Sequence, residues 1–375
     1  MGRIPGAGTL GGQRQVTEGG GDAFDKRRQS GAVKRGFAVL PSQKADADQM
    51  GLTIAVTGPT GEIGISVVEA LERDPAVERI IGMARRPFDP AAHGWTKTTY
   101  QQGDILDRAA VDALVVDADV VIHLAFIIMG SRGDSARINL AGTRNVFEAT
   151  VAAERPRRLV YTSSVAAYGY HADNPVPLTE DVPPRGSREH YYSEQKAACE
   201  AALAEITGGS SLQVYVLRPC IVAGPKAPAL ADAMPWSQLP GVIRSAQRAL
   251  PVFKPLFPDP GTPLQLVHHD DVAAAIALAA TTSAPPGAYN IAGDGVISVS
   301  DVVAALGGRP VRVPHAAASA ASAVIARLPF VPSALEWLHV GRTSVVMDTT
   351  KAKSVLGWHP KYTCAQTLAA LASAG

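Results

Sequence analysis

Two tyrosines stand side by side in the stretch His190-Tyr191-Tyr192-Ser193-Glu194-Gln195-Lys196. Side chains four apart share one face of a helix, so Tyr192, not Tyr191, is the partner of Lys196. Tyr191 projects about 100° away and is expected to pack or to line a pocket. A free phenol has a pKa near ~10 and is a poor base at neutral pH. A nearby ammonium, together with an oxidised nicotinamide, favours the phenolate and draws that pKa toward the working range. A tyrosine so placed can give or take the proton of a substrate oxygen while hydride moves at the adjoining carbon. Lys196 can also bond a cofactor ribose. The plain alternative is a surface helix with an incidental Tyr–Lys pair, and this spacing alone does not exclude it.

Upstream, Arg157 to Ser164 reads as a strand running into Ser163 and Ser164. A hydroxyl at a strand's carboxyl end points into the cleft and can hydrogen-bond the same substrate oxygen. Serines at a loop start can equally satisfy local backbone groups.

A third device is the turn Thr57-Gly58-Pro59-Thr60-Gly61-Glu62-Ile63-Gly64, with glycines at every third position. It follows a strand and opens a helix, the context that a dinucleotide site needs. Gly58 permits the tight turn, Gly61 lets backbone approach a pyrophosphate, and Gly64 lets helix and strand pack closely. Thr60 and Ile63 lie within the same turn and join the expected cofactor contacts. The helix start offers free N–H groups and partial positive charge to phosphates. A plain strand-to-helix turn would use glycines too. Enzymes that use NAD usually carry an acid at the end of the second strand, where it holds the adenosine ribose. Here that end reads Gly82-Met83-Ala84-Arg85-Arg86, and the nearest acid, Glu78, lies at the strand's start. Arg85 is suited to grip a 2′-phosphate. The expected cofactor is therefore NADP in preference to NAD. Asp104 ends the third strand, where it can contact adenine or cap the next helix.

These groups need a scaffold. Strands are expected over 52–58, 77–86, 98–104, 118–126, 157–164 and 212–219. Helices are expected over 62–74, 108–115, 135–153 and the segment carrying Tyr192. Such alternation predicts an α/β fold, a Rossmann-type doubly wound parallel sheet with helices on both faces. Ligands in such sheets sit at the carboxyl ends of the strands. Beyond residue 220 the pattern loosens into proline-rich loops and short helices at 270–282, 299–306, 350–356 and 363–373. The expected organisation is a disordered tail over 1–49 and one domain over 50–375. Its cofactor-binding core spans about 50–220, and a smaller substrate lobe falls mostly within 221–375. The tail is Gly-rich and polar, too poor in apolar groups to offset its ordering entropy. Met50 is a candidate alternative start.

Composition narrows the partners. A net charge of +1 gives no general pull toward nucleic acid or anionic membranes. Cys199, Cys220 and Cys364 are scattered, with neither metal spacing nor a disulfide framework, which fits a reducing cytoplasm. No metal is expected. No secretory signal is visible. The most apolar stretch, 316–338, is interrupted by Arg327, Pro329, Pro332 and Glu336, so it reads as a helix pair and not a membrane span.

Glycine turn, strand-end serines and Tyr192/Lys196, in this order, closely resemble the extended short-chain dehydrogenase/reductase family, the type often called NAD-dependent epimerase/dehydratase. The resemblance runs from about residue 52 to the C-terminus. It includes "HLA" (123–125), "NLAGTRNV" (139–146), "LRP" (217–219), "VHHDDVA" (267–273), "YNIAG" (289–293) and "LGWHPKY" (356–362). It implies a Rossmann domain with a small substrate lobe, a small-molecule substrate and often a homodimer. By motif, Ser164 takes the catalytic serine role, Tyr192 is the acid/base and Lys196 its partner. Leu124, Ala125 and Ser163 join the cofactor contacts. Asn139 matches an asparagine that lies near the cofactor in relatives, or is a helix-surface residue. Asp271 matches a frequent family residue and is expected to be a structural N-cap.

Departures from the family pattern narrow the reaction. Its dehydratases place an Asp-Glu pair after the strand-end hydroxyl, whereas Val165, Ala166 and Ala167 follow Ser164 here. Its sugar-nucleotide epimerases hold a diphosphate with an asparagine and an arginine, where this chain has Ile221 and Leu264. Phe126, Ile127, Ile128, Met129, Tyr168 and Tyr170 suggest an apolar cleft, unless they serve the core. The expected activity is an NAD(P)-dependent oxidoreductase acting on a ketone or secondary alcohol of a moderately apolar molecule, as in the dihydroflavonol reductase and hydroxysteroid dehydrogenase branch. The alternatives are an NAD-dependent sugar or sugar-nucleotide epimerase and a non-enzymatic NAD(P)-binding redox sensor.

Overall fold

A computed structural model describes residues 51–127, 135–237, 254–314 and 344–374. The expectations for the tail, Met50, Ile128, Met129 and the 316–338 segment lie outside these residues.

β1 (Leu52–Thr57) sets the pattern of the sheet. Ile54 and Val56 enter one hydrophobic core and Ala55 the other, the period-2 alternation of a strand buried on both faces. α1 (Glu62–Arg73) and β2 (Val77–Ala84) follow, then β3 (Thr98–Gln102), α2 (Arg108–Val115) and β4 (Val120–His123). A π-helical segment (Arg137–Gly142) leads into α3 (Thr143–Ala152), in place of the single helix expected over 135–153. β5 (Arg158–Thr162), α4 (Tyr191–Thr207) and β6 (Gln213–Pro219) complete the first half.

In the second half, β7 (Ile221–Ala223), β8 (Leu256–Asp259), β9 (Pro263–Leu264) and β10 (Leu266–His268) are short. α5 (His269–Thr281), β11 (Gly287–Ile291), β12 (Ile297–Ser298), α6 (Val299–Ala305), β13 (Arg309–Arg312) and α7 (Cys364–Ala374) follow.

The main sheet has seven strands in the order β11-β6-β5-β4-β1-β2-β3. Every pairing in it is parallel. α1 and α5 cover one face, with Val67, Leu71, Val272 and Ile276 against Ile54, Ile122 and Val160. α2, α3 and α4 cover the other, with Leu114, Phe147 and Leu203 against Ala55, Val121 and Leu159. The doubly wound Rossmann architecture is therefore as expected. Chain direction across the sheet switches between β1 and β4, and the carboxyl ends of those strands open the binding crevice.

The second half does two jobs. A smaller lobe has its own core of Leu230, Trp236, Val302, Val303, Leu368 and Leu371. The rest completes the main domain, because β11 adds the seventh strand and α5 packs beneath it. The sequence reading had six strands; β11 is five residues long and follows Pro285 and Pro286, so its strand signal is weak.

Asp271 is structural, as expected, but it is not a cap. The side chain that caps α5 is His268, which accepts from the Asp270 N–H. Asp271 is buried and accepts the N–H groups of Lys361 and Tyr362 at 2.9 and 3.0 Å, clasping the "LGWHPKY" segment to α5.

Candidate active site

A cleft of about 400 Å³ opens at the carboxyl ends of the central strands. Gly58, Gly61, Ile63 and Gly64 line it from the turn after β1, and Leu124 and Phe126 line it after β4. Thr162, Ser163 and Ser164 enter after β5, and Tyr191, Tyr192 and Lys196 from α4. The sequence-nominated serine, tyrosine and lysine thus meet the glycine turn in one cavity.

Each glycine of the turn has its own physical reason. Gly58 has φ of 74°, and a Cβ there would lie 2.9 Å from the Ala125 backbone nitrogen. A Cβ on Gly64 would fall 2.2 Å from the Gly58 carbonyl oxygen, so α1 can approach β1 this closely only without one. Gly61 differs: the nearest atom to an added Cβ is 3.5 Å away, so the protein's own packing does not require glycine there. Gly61 is also the N-cap of α1, and no side chain caps that helix. Its start therefore has open backbone N–H groups facing a space that a side chain would obstruct. Thr162 Oγ1, also at the cleft, is buried without a hydrogen-bond partner. These features fit a bound dinucleotide with its pyrophosphate at the helix start.

Lys196 is 3 % exposed. Its Nζ donates to the Thr162 carbonyl at 2.9 Å and lies 3.7 Å from the Phe126 ring centroid. Burial draws its pKa down to about 8, against smaller opposing effects of Cys199 and Glu200. Burial pushes the Tyr192 hydroxyl up to about 12, while its hydrogen bond with Ser164 pulls the other way. The expectation that Lys196 draws the phenol down included an oxidised nicotinamide; the shift here is that of the chain alone. In the structure Lys196 Nζ is 5.9 Å from the Tyr192 ring centroid, with the Phe126 ring edge-on to Tyr192 at 5.6 Å, and desolvation governs both groups.

Ser164 caps the short turn Val165–Tyr168, accepting the Ala166 N–H at 3.2 Å, so it serves backbone and cleft together. Ser163 lines the cleft, but its hydroxyl donates to Glu200 at 2.5 Å. Asn139 is fully buried and outside the cleft lining. Its amide accepts from Ile127 N at 2.8 Å and donates to Ile127 O and to Gln195 at 2.9 and 2.8 Å. Its side chain is therefore not on the helix surface, the second of the two expected readings. It ties the loop after β4 to α4.

Thr60, Ala125, Arg85 and Asp104 do not line the cavity. Ala125 packs against Gly58 and donates its N–H to Thr57 Oγ1 at 3.3 Å. Asp104 accepts the Leu106 N–H at 3.0 Å, while Asp107 caps α2. Arg85 and Arg86 are exposed just past β2, and neither side chain forms an ion pair among the described residues.

Much of the remaining lining is apolar, with the Glu62 carboxylate beside Ala229. Cys220, Ile221, Val222, Leu230, Leu264 and Val345 form the apolar part. The Gln265 amide is there too, but it is committed to the Met347 backbone, accepting from N at 2.8 Å and donating to O at 3.3 Å. Tyr170 lines the cleft, whereas Tyr168 is core: its hydroxyl donates to Asn290 at 2.7 Å.

Sequence reasoning did not nominate Thr162, His190, Leu230 or Val345. His190 had a usable signal, since it immediately precedes α4 and its side chain accepts the Ser193 N–H as the N-cap. Leu230 and Val345 reach the cleft only through the tertiary fold.

No helix among the described residues is long and apolar enough to cross a membrane. His268, His269 and Asp270 are the one group among them with metal-ligating side chains close together, and none of the three lines this cleft.

Comparison with known proteins agrees with this architecture. The chain is similar to an uncharacterized protein of Mycobacterium tuberculosis, 26% identical over 342 residues, covering 88% of this chain and 85% of that one. It is similar to an uncharacterized protein of Sinorhizobium fredii, 26% identical over 326 residues, covering 84% of this chain and 76% of that one. Among solved structures it matches the Bordetella bronchiseptica enzyme WbmG in complex with NAD, at TM-score 0.62 and 20% identity, covering 87% of this chain and 94% of that one. It also matches UDP-glucuronic acid 4-epimerase from Bacillus cereus in complex with NAD, at TM-score 0.64 and 18% identity, covering 86% and 98%. At these identities the structures speak to the fold. The model of the NAD dependent epimerase/dehydratase family matches residues 54–292, more than half of the chain, and the protein belongs to that family.

Proposed function

We propose that the protein is an NADP(H)-linked oxidoreductase that interconverts a ketone and a secondary alcohol on a moderately apolar small molecule. The observation that carries this reading is the apolar part of the cleft lining. Ile221 and Leu264 line the cleft, and the neighbouring Gln265 amide is committed to Met347. A sugar diphosphate bound there would lose water without gaining charged partners, which is costly. An apolar body with one carbonyl is held by shape at little cost.

The turn at Gly58, Gly61 and Gly64 holds the dinucleotide, and its nicotinamide supplies or accepts hydride. Arg85, with Arg86 beside it, favours a 2′-phosphate, since no acid stands at the end of β2. Ser164 hydrogen-bonds the substrate oxygen and orients it. Tyr192 delivers the proton to that oxygen in reduction and removes it in oxidation. Its high resting pKa suits the acid role, because the phenol stays protonated at neutral pH until a substrate oxygen accepts the proton. Lys196, anchored on the Thr162 carbonyl, places positive charge near the phenolate that remains.

The experiment is consumption of NADPH by the purified protein against a panel of apolar ketones. Turnover of at least one, lost in Tyr192→Phe, supports the reading; no turnover with any of them counts against it. A second reading, an epimerase that retains NAD, draws on solved neighbours whose names are those of sugar-nucleotide enzymes. NAD carried by the protein through gel filtration would favour it.

A further inference from the structure

Behind the cleft lies a buried polar network that the proposed chemistry does not use directly. Glu200 is 8% exposed and Arg218 5%. Arg218, on β6, grips Glu200, on α4, with Nε at 3.0 Å from one carboxylate oxygen and a terminal nitrogen at 2.6 Å from the other. The Ser163 hydroxyl donates to the same Glu200 oxygen that receives Arg218 Nε. Arg218 also donates to the Tyr168 hydroxyl at 2.8 Å and lies over its ring, at 4.6 Å from the centroid. The Tyr168 hydroxyl in turn donates a hydrogen bond to the Asn290 amide oxygen on β11.

Two relationships give this network a direction. Ser164 sits between Ser163 and Tyr168, and both of those are tied to the ion pair. Tyr192, Lys196 and Glu200 also recur every four residues on α4, so Glu200 lies one turn beyond Lys196 on the same side of the helix. A buried ion pair adds little net stability over apolar packing, yet removing one partner is costly. Its value therefore lies in what it holds in place.

We infer that Glu200, locked by Arg218, is a positioning residue that fixes Ser164 through Ser163 and sets its carboxylate one helical turn from the Lys196 ammonium. The inference rests on the proposed reading that Ser164, Tyr192 and Lys196 act on the substrate oxygen. Glu200 touches no substrate and acts through its neighbours. The groups facing Lys196 are Tyr192, Cys199 and Glu200 on its own helix, Tyr161 from β5 and His123 from β4. His123 is held neutral at working pH, with its pKa drawn down to about 3 by burial and then by Lys196. The tyrosines and the thiol, with pKa values raised by burial, are neutral there as well. Glu200 is then the one carboxylate among them, and its charge opposes the desolvation of Lys196.

The test is Glu200→Gln, which keeps shape and an acceptor for Ser163 and Arg218 while removing charge. The Lys196 ionisation is followed without substrate by NMR of lysine labelled at the ε position, assigned with Lys196→Met. The expected result is a titration displaced to lower pH by about half a unit or more, on the scale of a single neighbouring charge. In turnover, kcat falls about tenfold and its alkaline limb moves to lower pH, with substrate KM little changed. A purely structural role would lower Tm and the active fraction without moving either titration, and that result overturns the inference. If Glu200→Gln does not fold, Ser163→Ala decides: it leaves the ion pair intact and is expected to lower kcat severalfold with the limb in place. An unchanged kcat in that variant overturns the positioning role. Since the NMR titration needs no substrate, failure of the ketone reading and failure of this one are distinguishable.

Discussion

Lys196 Nζ lies 3.7 Å from the centroid of the Phe126 ring, with its hydrogen bond to the Thr162 carbonyl on hand. An ammonium against an aromatic face keeps part of its electrostatic stabilisation but loses most of its water. That is why its pKa sits near 8 and not at the ordinary lysine value of 10.5. Below pH 8 the lysine is charged in both folded and unfolded chains, and burial opposes folding in full. As pH rises from 8 toward 10.5 the folded protein gives up the proton first, and the penalty fades. Lys196→Met should therefore be more stable than the wild type at pH 7. The advantage is at most on the order of 3 kcal/mol, at ~1.4 kcal/mol per pKa unit, and disappears near pH 10.5. Urea unfolding across that range is the measurement. The same variant should be inactive, a trade between stability and function.

The glycine turn separates packing from binding. Gly64→Ala should lower Tm sharply or prevent folding, because its Cβ would meet the Gly58 carbonyl at 2.2 Å. Gly61→Ala should fold normally, with nothing closer than 3.5 Å, yet lose about tenfold or more in cofactor affinity. Thermal melts and cofactor titration of the two variants check both halves of this contrast.

How much of this was legible in the sequence follows from the range of the interactions. The glycine spacing and the short apolar runs of β1, β4 and β5 are local signals, so the sheet and the turn were readable. The i, i+4 relation of Tyr192 and Lys196 was readable for the same reason. Asn139 was not, because its partners Ile127 and Gln195 are 12 and 56 residues away. The effect of burial on the Tyr192 hydroxyl in the chain alone was not readable either. It depends on the partial burial of Tyr192 at the cleft, where Phe126 reaches it only in the folded chain. β11 is short and carries buried Asn290 beside its last residue, where its amide answers Tyr168 and the Leu178 carbonyl.

Arg85 carries the cofactor preference. Arg85→Ala should weaken NADP+ binding about tenfold or more, the worth of a charge-assisted contact, and leave NAD+ within about twofold. Calorimetry with each nucleotide on cofactor-free protein measures this. Stronger NAD+ binding in the wild type would instead restore the epimerase reading.

Leu264→Arg places a cation in the apolar wall. kcat/KM for an apolar ketone should fall by more than about tenfold, chiefly through KM, since the buried charge competes with the substrate body for the same space. Steady-state kinetics against the wild type decide it, and an unchanged KM would mean the substrate does not reach that wall.

The central claim is hydride transfer with Tyr192 as the proton donor. Its most direct test supplies NADPH deuterated at the transferring position to the wild type and to Tyr192→Phe, with an apolar ketone. The account predicts deuterium on the carbinol carbon of the product, one per NADPH consumed. In Tyr192→Phe product should be lost while cofactor affinity stays nearly intact. Retained turnover in Tyr192→Phe, or substrate inversion without net consumption of cofactor, would contradict it.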